Sequence, residues 1–216
     1  MNFAQIVIIV SHLPILLAVI YTASIYNQLN HELKVFSWFI FFSGLIQFVS
    51  LAFWFAHRNN MPLLHLYVAG SFLLITWFYG ALLRGFINKK VLWSVALAFL
   101  VFTTINSIFI QPVNTFNSYA LTIESVLILI LSLFTFTFFL NNIVKETRRR
   151  DIKSLTWINS GLFAYYSSDL LIFYFGAVIT QTLSTSLNQY TWVFHSFFSI
   201  VMYTCFIIGL WRRSKT

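Results

Sequence analysis

The stretch TWINSGLFAYYSSDLLIFYFGAV, residues 156–178, is apolar over a long run and contains one carboxylate, Asp169. The hydrocarbon core of a bilayer is about 30 Å thick and a helix rises about 1.5 Å per residue, so roughly 20 apolar residues span it. The stretch therefore predicts a transmembrane helix. A carboxylate near the bilayer midplane is costly, and acids in such positions are candidates for functional sites by default.

The rest of the chain has the same character. Of its 216 residues, 59% are hydrophobic, 20% are aromatic and only 8% are charged, whereas a soluble domain carries about 25% charged residues. The sequence predicts an all-α polytopic membrane protein, a seven-transmembrane-helix bundle that forms one domain over residues 1–216. The predicted spans are 3–24, 35–55, 64–84, 91–110, 119–141, 156–178 and 190–211.

Lys and Arg are distributed unevenly between the two sides of these spans. Of the 13 basic residues, only Arg58 falls on the side of the N-terminus and the even-numbered loops. The other twelve are Lys34, Arg84, Lys89, Lys90, Lys145, Arg148, Arg149, Arg150, Lys153, Arg212, Arg213 and Lys215. Because positive loops stay cytoplasmic, we expect the N-terminus outside and the C-terminus cytoplasmic. The net charge of +8 is thus attributed to topology, and no nucleic-acid partner is expected.

Ionisable residues within the spans gather in the outer half. With this orientation His65, Glu124 and His195 lie in that half, and His12 and Asp169 lie at its floor. Added hydrogen-bonding capacity comes from nearby amide and phenol groups. The predicted ligand-binding set is Asp169, His195, His12, Glu124, Gln47, Tyr165, Tyr166 and His65.

Each of these residues also has a structural interpretation. In this interpretation His65 is an interfacial residue in water, and His195 is a packed histidine bonded to a neighbouring carbonyl. His12 bonds the carbonyl that Pro14 leaves free, and Glu124 extends to the outer interface. For Asp169 we expect a position facing the bundle interior, with His12 or His195 as its nearest ionisable partner. Its charge state stays open, because desolvation and ion pairing act in opposite directions.

Seven spans with an outside N-terminus resemble the rhodopsin-like and receptor-type heptahelical proteins in architecture. A retinal protein needs a lysine in its seventh span for the Schiff base, and residues 190–211 contain none. Retinal is therefore not expected as a cofactor.

The combination of His, Asp and Glu is also similar to that of the seven-span zinc hydrolases related to alkaline ceramidases. That resemblance implies three protein ligands and a zinc-bound water. The candidates here are His12, His195 and Asp169 or Glu124. The chain departs from the family pattern, since His195 is followed four residues later by Ser199 instead of a second histidine.

A weak internal repeat offers another interpretation. SGLIQFVSLAF, residues 43–53, resembles SGLFAYYSSDL, residues 160–170. This pairing would make spans 1–3 and 5–7 parallel copies joined by span 4, which resembles the three-plus-one-plus-three plan of small sugar and vitamin transporters. The Pro-Gln pair of that family is missing, because residues 111–112 read Gln-Pro.

The outward polar pocket above an apolar inner half favours a non-enzymatic receptor or sensor that binds a small ligand, lipid or proton. A small-solute transporter and a zinc-dependent intramembrane hydrolase are the alternatives. We expect an integral multi-pass protein of the cytoplasmic membrane, or inner membrane if bacterial, with a cytoplasmic signalling partner. Anionic lipid is the expected partner of Lys145, Arg148, Arg149, Arg150 and Lys153.

Overall fold

A computed structural model describes residues 3–141, 149–182 and 184–213, and these residues form helices and the short connections between them. The first span consists of α1 (Phe3–Val10), α2 (His12–Ile25) and a 3₁₀ turn (Tyr26–Gln28). The remaining helices are α3 (His31–Phe55), α4 (Met61–Leu82), α5 (Lys89–Ile105), α6 (Ser118–Leu140), α7 (Arg149–Thr182) and α8 (Thr185–Trp211). A π-helical segment, Asn106–Ile110, extends α5.

The prediction of seven spans is confirmed as far as length and apolarity define a span. Seven stretches of the described chain are long and apolar enough to cross a membrane: Ile6–Gln28, His31–Phe55, Met61–Leu82, Lys89–Ile110, Ser118–Leu140, Asp151–Thr180 and Asn188–Trp211. Residues 149–153 precede the predicted span 156–178 and were therefore expected to lie in a loop, and this prediction was wrong. Helix α7 begins at Arg149, because a helix can continue beyond the apolar part of its sequence.

The first span is interrupted at Ser11, between α1 and α2. Pro14 has no amide hydrogen and so cannot donate to the carbonyl of Val10. From the sequence we expected His12 to bond to that carbonyl. Instead, His12 Nδ1 lies 2.9 Å from the Ile8 carbonyl. The reason is geometric, since a helical side chain reaches back one turn towards residue i−4. Ser11 Oγ donates to the same carbonyl at 2.6 Å.

The helices follow a closed order of contacts. The first span packs on α3 and α8, α3 packs on α4, α4 packs on α6, α6 packs on α7, and α7 packs on α8. Helix α5 packs beside α4 and makes a smaller contact with α6. One end of the bundle, which we call the N-terminal end, carries Phe3, the connections 56–60 and 111–117, and Ser184 before α8. The opposite end, the basic end, carries the connections 29–30 and 83–88.

The half of the bundle next to the basic end is filled by aromatic side chains. Phe36 and Phe78 have ring centroids 5.0 Å apart, and Phe36 lies 4.8 Å from Phe206. All three side chains are fully buried. Next to them Tyr79 donates to Asn159 Oδ1 at 2.8 Å, joining α4 to α7. This half therefore holds packed rings and the hydrogen-bonded pair Tyr79–Asn159.

Candidate ligand cavity

A cavity of about 420 Å³ lies between the first span, α3, α4, α6, α7 and α8, in the half next to the N-terminal end. Its lining comes from residues far apart in sequence. They are Ile8, Ser11, His12, Ile46, Gln47, Ser50, Trp54, Asn60, Met61, Leu63, Leu64, Tyr67, Phe116, Leu121, Tyr165, Phe173, Trp192, His195, Ser196 and Ser199. Four of the predicted site residues, His12, Gln47, Tyr165 and His195, are on this wall.

Asp169 lies behind the wall and is paired with His195. Its Oδ2 is 2.9 Å from His195 Nδ1, and the Asp169 side chain is fully buried while that of His195 is 25% exposed. The expectation of an inward-facing Asp169 with His12 or His195 as partner is confirmed, and the partner is His195. The second carboxylate oxygen, Oδ1, has no hydrogen-bond partner among the described residues.

Aromatic rings enclose His195. Its ring centroid lies 5.6 Å from that of Tyr165, 5.8 Å from that of Phe173 and 5.6 Å from that of Trp192. The indole of Trp192 is held by a 2.6 Å hydrogen bond from its Nε1 to Asn188 Oδ1. The imidazole therefore lines the cavity within an apolar frame.

The first span and α3 contribute His12 and Gln47 to the cavity lining. The Ile8 carbonyl can only accept, so His12 Nδ1 is the donor of the bond between them. Gln47 Nε2 donates to Tyr203 OH at 2.9 Å, which leaves Gln47 Oε1 as an acceptor. These bonds fix the orientation of both side chains.

Glu124 does not line the cavity. Its Oε1 accepts from Ser71 Oγ at 2.6 Å and from Tyr166 OH at 3.3 Å, and its side chain is fully buried. The interpretation in which Glu124 extends to the outer interface is therefore wrong. Tyr166 faces this carboxyl group, so the structure does not bring Glu124 or Tyr166 to the cavity wall.

His65 lies in the junction between α4 and the connection that follows α5. Its Nδ1 is 2.7 Å from Ser107 Oγ, and its Nε2 is 3.1 Å from the Thr115 carbonyl. The side chain is buried, so the interpretation of His65 as an interfacial residue in water is also wrong. With both ring nitrogens bonded to protein, His65 anchors residues 107–115 to α4 and does not line the cavity.

The residues suggested for zinc do not assemble. Within the described ranges no group of three or more His, Cys, Asp or Glu side chains can hold a metal ion. Instead Asp169 pairs with His195, His12 bonds to the Ile8 carbonyl of α1, and Glu124 bonds to Ser71 and Tyr166. The described residues therefore do not bring together His12, His195 and Asp169 or Glu124, the candidate ligands of the zinc alternative.

The suggested anionic-lipid patch is only partly visible. Lys145 and Arg148 lie outside the described residues, as do the side chains of Arg149 and Arg150. Lys153 is exposed on α7. The lipid contact therefore stays a prediction.

Sequence reasoning missed several lining residues of α8. Trp192, Ser196 and Ser199 share the cavity with His195, and the spacing 192, 195, 196, 199 is the i, i+3, i+4, i+7 pattern of one helix face. That pattern could have identified them once His195 was chosen. Phe116 gave no such signal, because it enters the wall from a connection.

No family model, curated protein or solved structure matches this chain. The function is therefore inferred from the geometry of the cavity.

Proposed function

We propose that the protein is a non-enzymatic membrane receptor or sensor that binds a small molecule in this cavity. The observation that carries the proposal is a 420 Å³ cavity with an apolar wall and a few fixed polar groups. Ligand pockets are commonly about 300–1,000 Å³, mostly apolar, with a small number of placed polar groups. With the orientation favoured by the basic loops, the cavity lies in the extracytoplasmic half.

The two halves of the bundle support a receptor over a conduit. The cavity reaches Gln47 and Ser199, which lie near the middle of α3 and α8. Beyond them the buried rings of Phe36, Phe78 and Phe206 occupy the interior. Among the described residues, these packed rings separate the cavity from the basic end.

A signal can travel along α7 and α8, which the Asp169–His195 pair joins at the cavity. At the basic end of α8, Arg213 Nη2 donates to Gln28 Oε1 at 2.7 Å. Arg213 Nη1 donates to Tyr21 OH at 3.2 Å. A ligand that shifts α8 relative to α7 would alter these contacts, where a cytoplasmic partner can detect the change.

Transport is the second candidate, and the helix contacts favour it. A three-plus-one-plus-three repeat would pair the first span with α6 and α4 with α8, so that the contact of α4 with α6 corresponds to that of α8 with the first span. Both contacts occur.

The repeated glycines have different neighbours, however. A Cβ on Gly44 would meet Val19 of the first span, whereas one on Gly161 would meet Cys205 of α8. The receptor interpretation is therefore preferred.

Cysteine accessibility separates these two candidates. Cys205 is the only cysteine, so Cys205→Ser provides a background for Ser199→Cys on the cavity wall. In oriented vesicles we expect a charged methanethiosulfonate reagent to modify position 199 from the side of the N-terminal end alone. The matched control is Ser37→Cys, which is fully buried in the aromatic half and should not react from either side. Modification of position 199 from both sides would favour transport.

Ligand occupancy tests the receptor proposal itself. Native mass spectrometry of the purified protein should reveal a bound small molecule. Ser199→Trp fills the cavity and should abolish the added mass, whereas Thr204→Trp, at an exposed site of the same helix, should leave it. Equal occupancy in both variants would contradict binding at this cavity.

A further inference from the structure

A groove of about 180 Å³ lies on the outer surface of the bundle, where α4, α5 and α6 meet. Its lining consists of Phe, Val, Leu and Ile side chains, with Thr76 as the one polar residue. None of its lining residues also lines the cavity. An inference about the groove is therefore independent of the proposed receptor function.

The groove exists because α5 packs closely on α4 but makes only a small contact with α6. A Cβ on Gly80 of α4 would meet Leu92 of α5 at 3.1 Å, and the rings of Phe72 and Phe99 join the same two helices with centroids 4.2 Å apart. The apolar space between α5 and α6 stays open along the surface, with α4 as its floor.

The depth of the groove matches one leaflet of a bilayer. At the basic end Phe86, in the connection 83–88, packs on Phe138 of α6 with ring centroids 4.4 Å apart, and the adjacent Ile87 lines the groove. Along α6, Leu127 lies roughly 16 Å from Phe138 at about 1.5 Å per residue. Half of a hydrocarbon core of about 30 Å is about 15 Å. The groove therefore extends over the length available to one acyl chain.

Three cations lie at the basic end of the groove. Arg84 shares a turn with the groove-lining Ile87, and Lys89 and Lys90 open α5 directly before its groove-lining part. All three side chains are exposed, and none forms an ion pair with a carboxylate of the described residues. Residues 33–123 contain no acidic residue at all. Basic side chains in this position attract anionic lipid head groups.

We propose that the groove binds one anionic phospholipid, with an acyl chain between α5 and α6 and its phosphate group at Arg84, Lys89 and Lys90. The apolar lining and the cations call for the two parts of the same molecule. A zwitterionic lipid carries no net charge to complement the cations, and a free anion leaves the groove unfilled. This site is separate from the predicted lipid contact of Lys153 on α7.

A second transmembrane helix fits the groove less well than an acyl chain. A helix with its side chains is about 10–12 Å across. Helices in membranes associate through small residues that let their backbones approach closely, whereas the groove lining contains no Gly, Ala or Ser. A flexible chain of methylene groups can instead follow the uneven surface that Val, Leu and Ile present.

Photoactivatable lipids test the site in the full chain. The protein is placed in phosphatidylcholine nanodiscs that contain a small fraction of phosphatidylglycerol or phosphatidylcholine with a diazirine in one acyl chain. Labelled residues are mapped by peptide mass spectrometry, and the ratio of labelling by the two lipids corrects for exposure. We expect this ratio to be about tenfold higher at Val95 in the groove than at Leu97. Leu97 is exposed at a similar depth on another face of α5.

Matched double variants test the head-group contact. Lys89→Gln with Lys90→Gln should lower the ratio at Val95 by about fivefold or more, with Arg84 retaining part of the attraction. Lys34→Gln with Arg212→Gln removes the same charge from α3 and α8 at the same end of the bundle, away from the groove. This control should leave the ratio at Val95 unchanged.

A second pair of variants tests the seat of the acyl chain. Val95→Trp places a large ring in the groove and should reduce phosphatidylglycerol labelling of Ile130, which is exposed on the α6 side. Leu97→Trp adds the same ring to the other face of α5 and should leave the labelling of Ile130 unchanged.

Three results would overturn the proposal. Equal ratios at Val95 and Leu97 in the unsubstituted protein would show that the groove does not prefer an anionic lipid. An equal fall in both double variants would show a diffuse attraction to the basic end. Unlabelled groove residues in a protein that native mass spectrometry shows as a dimer would assign the groove to a second copy of the chain. Each of these results leaves the receptor proposal standing, because the cavity shares no residue with the groove.

Discussion

Asp169 is tolerated within an apolar helix because it does not stand alone. Its carboxyl group is fully buried, and its one hydrogen-bond partner among the described residues is the imidazole of His195 on the next helix. Breaking a buried pair by removing one member leaves the other group without its partner, which destabilises more than the pair itself stabilises. At the scale of single residues, the pair is therefore the unit on which substitutions act.

Substitution of Asp169 separates charge from hydrogen bonding. Asp169→Ala leaves His195 Nδ1 without its partner, and we expect the free energy of unfolding to fall by about 1–3 kcal/mol. Asp169→Asn retains a side-chain amide that can donate to Nδ1, so its loss should be smaller than that of Ala. Thermal unfolding in detergent measures both. Equal losses would show that the hydrogen bond contributes nothing to stability.

Glu124 is predicted to act as an acceptor for two hydroxyl groups. Glu124→Gln keeps an oxygen for Ser71 and Tyr166. Glu124→Leu removes that acceptor from the buried Tyr166 hydroxyl, whereas Ser71 Oγ keeps a 3.2 Å hydrogen bond to the Val68 carbonyl. We expect Leu to be more destabilising than Gln by about 1–3 kcal/mol. Adding Tyr166→Phe to the Leu variant removes the hydroxyl that lost its acceptor and should recover part of the loss. No recovery in this double variant would contradict the role of the Tyr166 bond.

At the scale of helices, the connection after α5 is fixed to α7 by a close contact. A Cβ on Gly176 would overlap the Phe116 ring, and the Ala177 amide donates to Ser118 Oγ at 2.7 Å. Phe116 also lines the cavity. A larger residue at 176 therefore changes both the packing of this connection and the cavity wall.

We expect Gly176→Val to lower the free energy of unfolding by about 1–3 kcal/mol through overpacking. The matched rescue is Gly176→Val with Phe116→Ala, which removes the ring that the new side chain meets. In a double-mutant cycle the two substitutions should be less destabilising together than the sum of their separate effects. Simple additivity of the two effects would contradict the contact.

The sequence predicted where the helices lie and how deep each polar residue sits in the bundle. It predicted less reliably which way each side chain points around its helix axis. Depth follows from counting residues along an apolar span, which is why the pairing of Asp169 with His195 was predictable. Rotation depends on which neighbours surround each helix. Tyr165 and Tyr166 are adjacent in sequence and point about 100° apart on a helix, so Tyr165 reaches the cavity while Tyr166 reaches Glu124. The prediction that His65 lines the site failed for the same reason, because the sequence does not show which neighbours surround its side chain.

At the scale of the whole molecule, the two ends of the bundle differ in charge and in packing. The end with the cavity carries Arg58 in its connection, whereas the opposite end carries Arg84 and the start of α5 with Lys89 and Lys90. Both asymmetries run along the same axis of the bundle. If the basic loops are cytoplasmic, the cavity lies in the outer half of the bundle and is accessible to ligands from outside the cell.

Labelling from one side of the membrane tests that orientation. In the Cys205→Ser background we introduce Arg58→Cys at one end and Lys90→Cys at the other, since both side chains are exposed. A membrane-impermeant maleimide added to intact cells should label position 58, and position 90 should react only after permeabilisation. The two variants serve as mutual controls for expression and reactivity. The reverse pattern would place the cavity in the cytoplasmic half. A ligand of the proposed receptor would then come from inside the cell, because the packed rings of Phe36, Phe78 and Phe206 would separate the cavity from the outside.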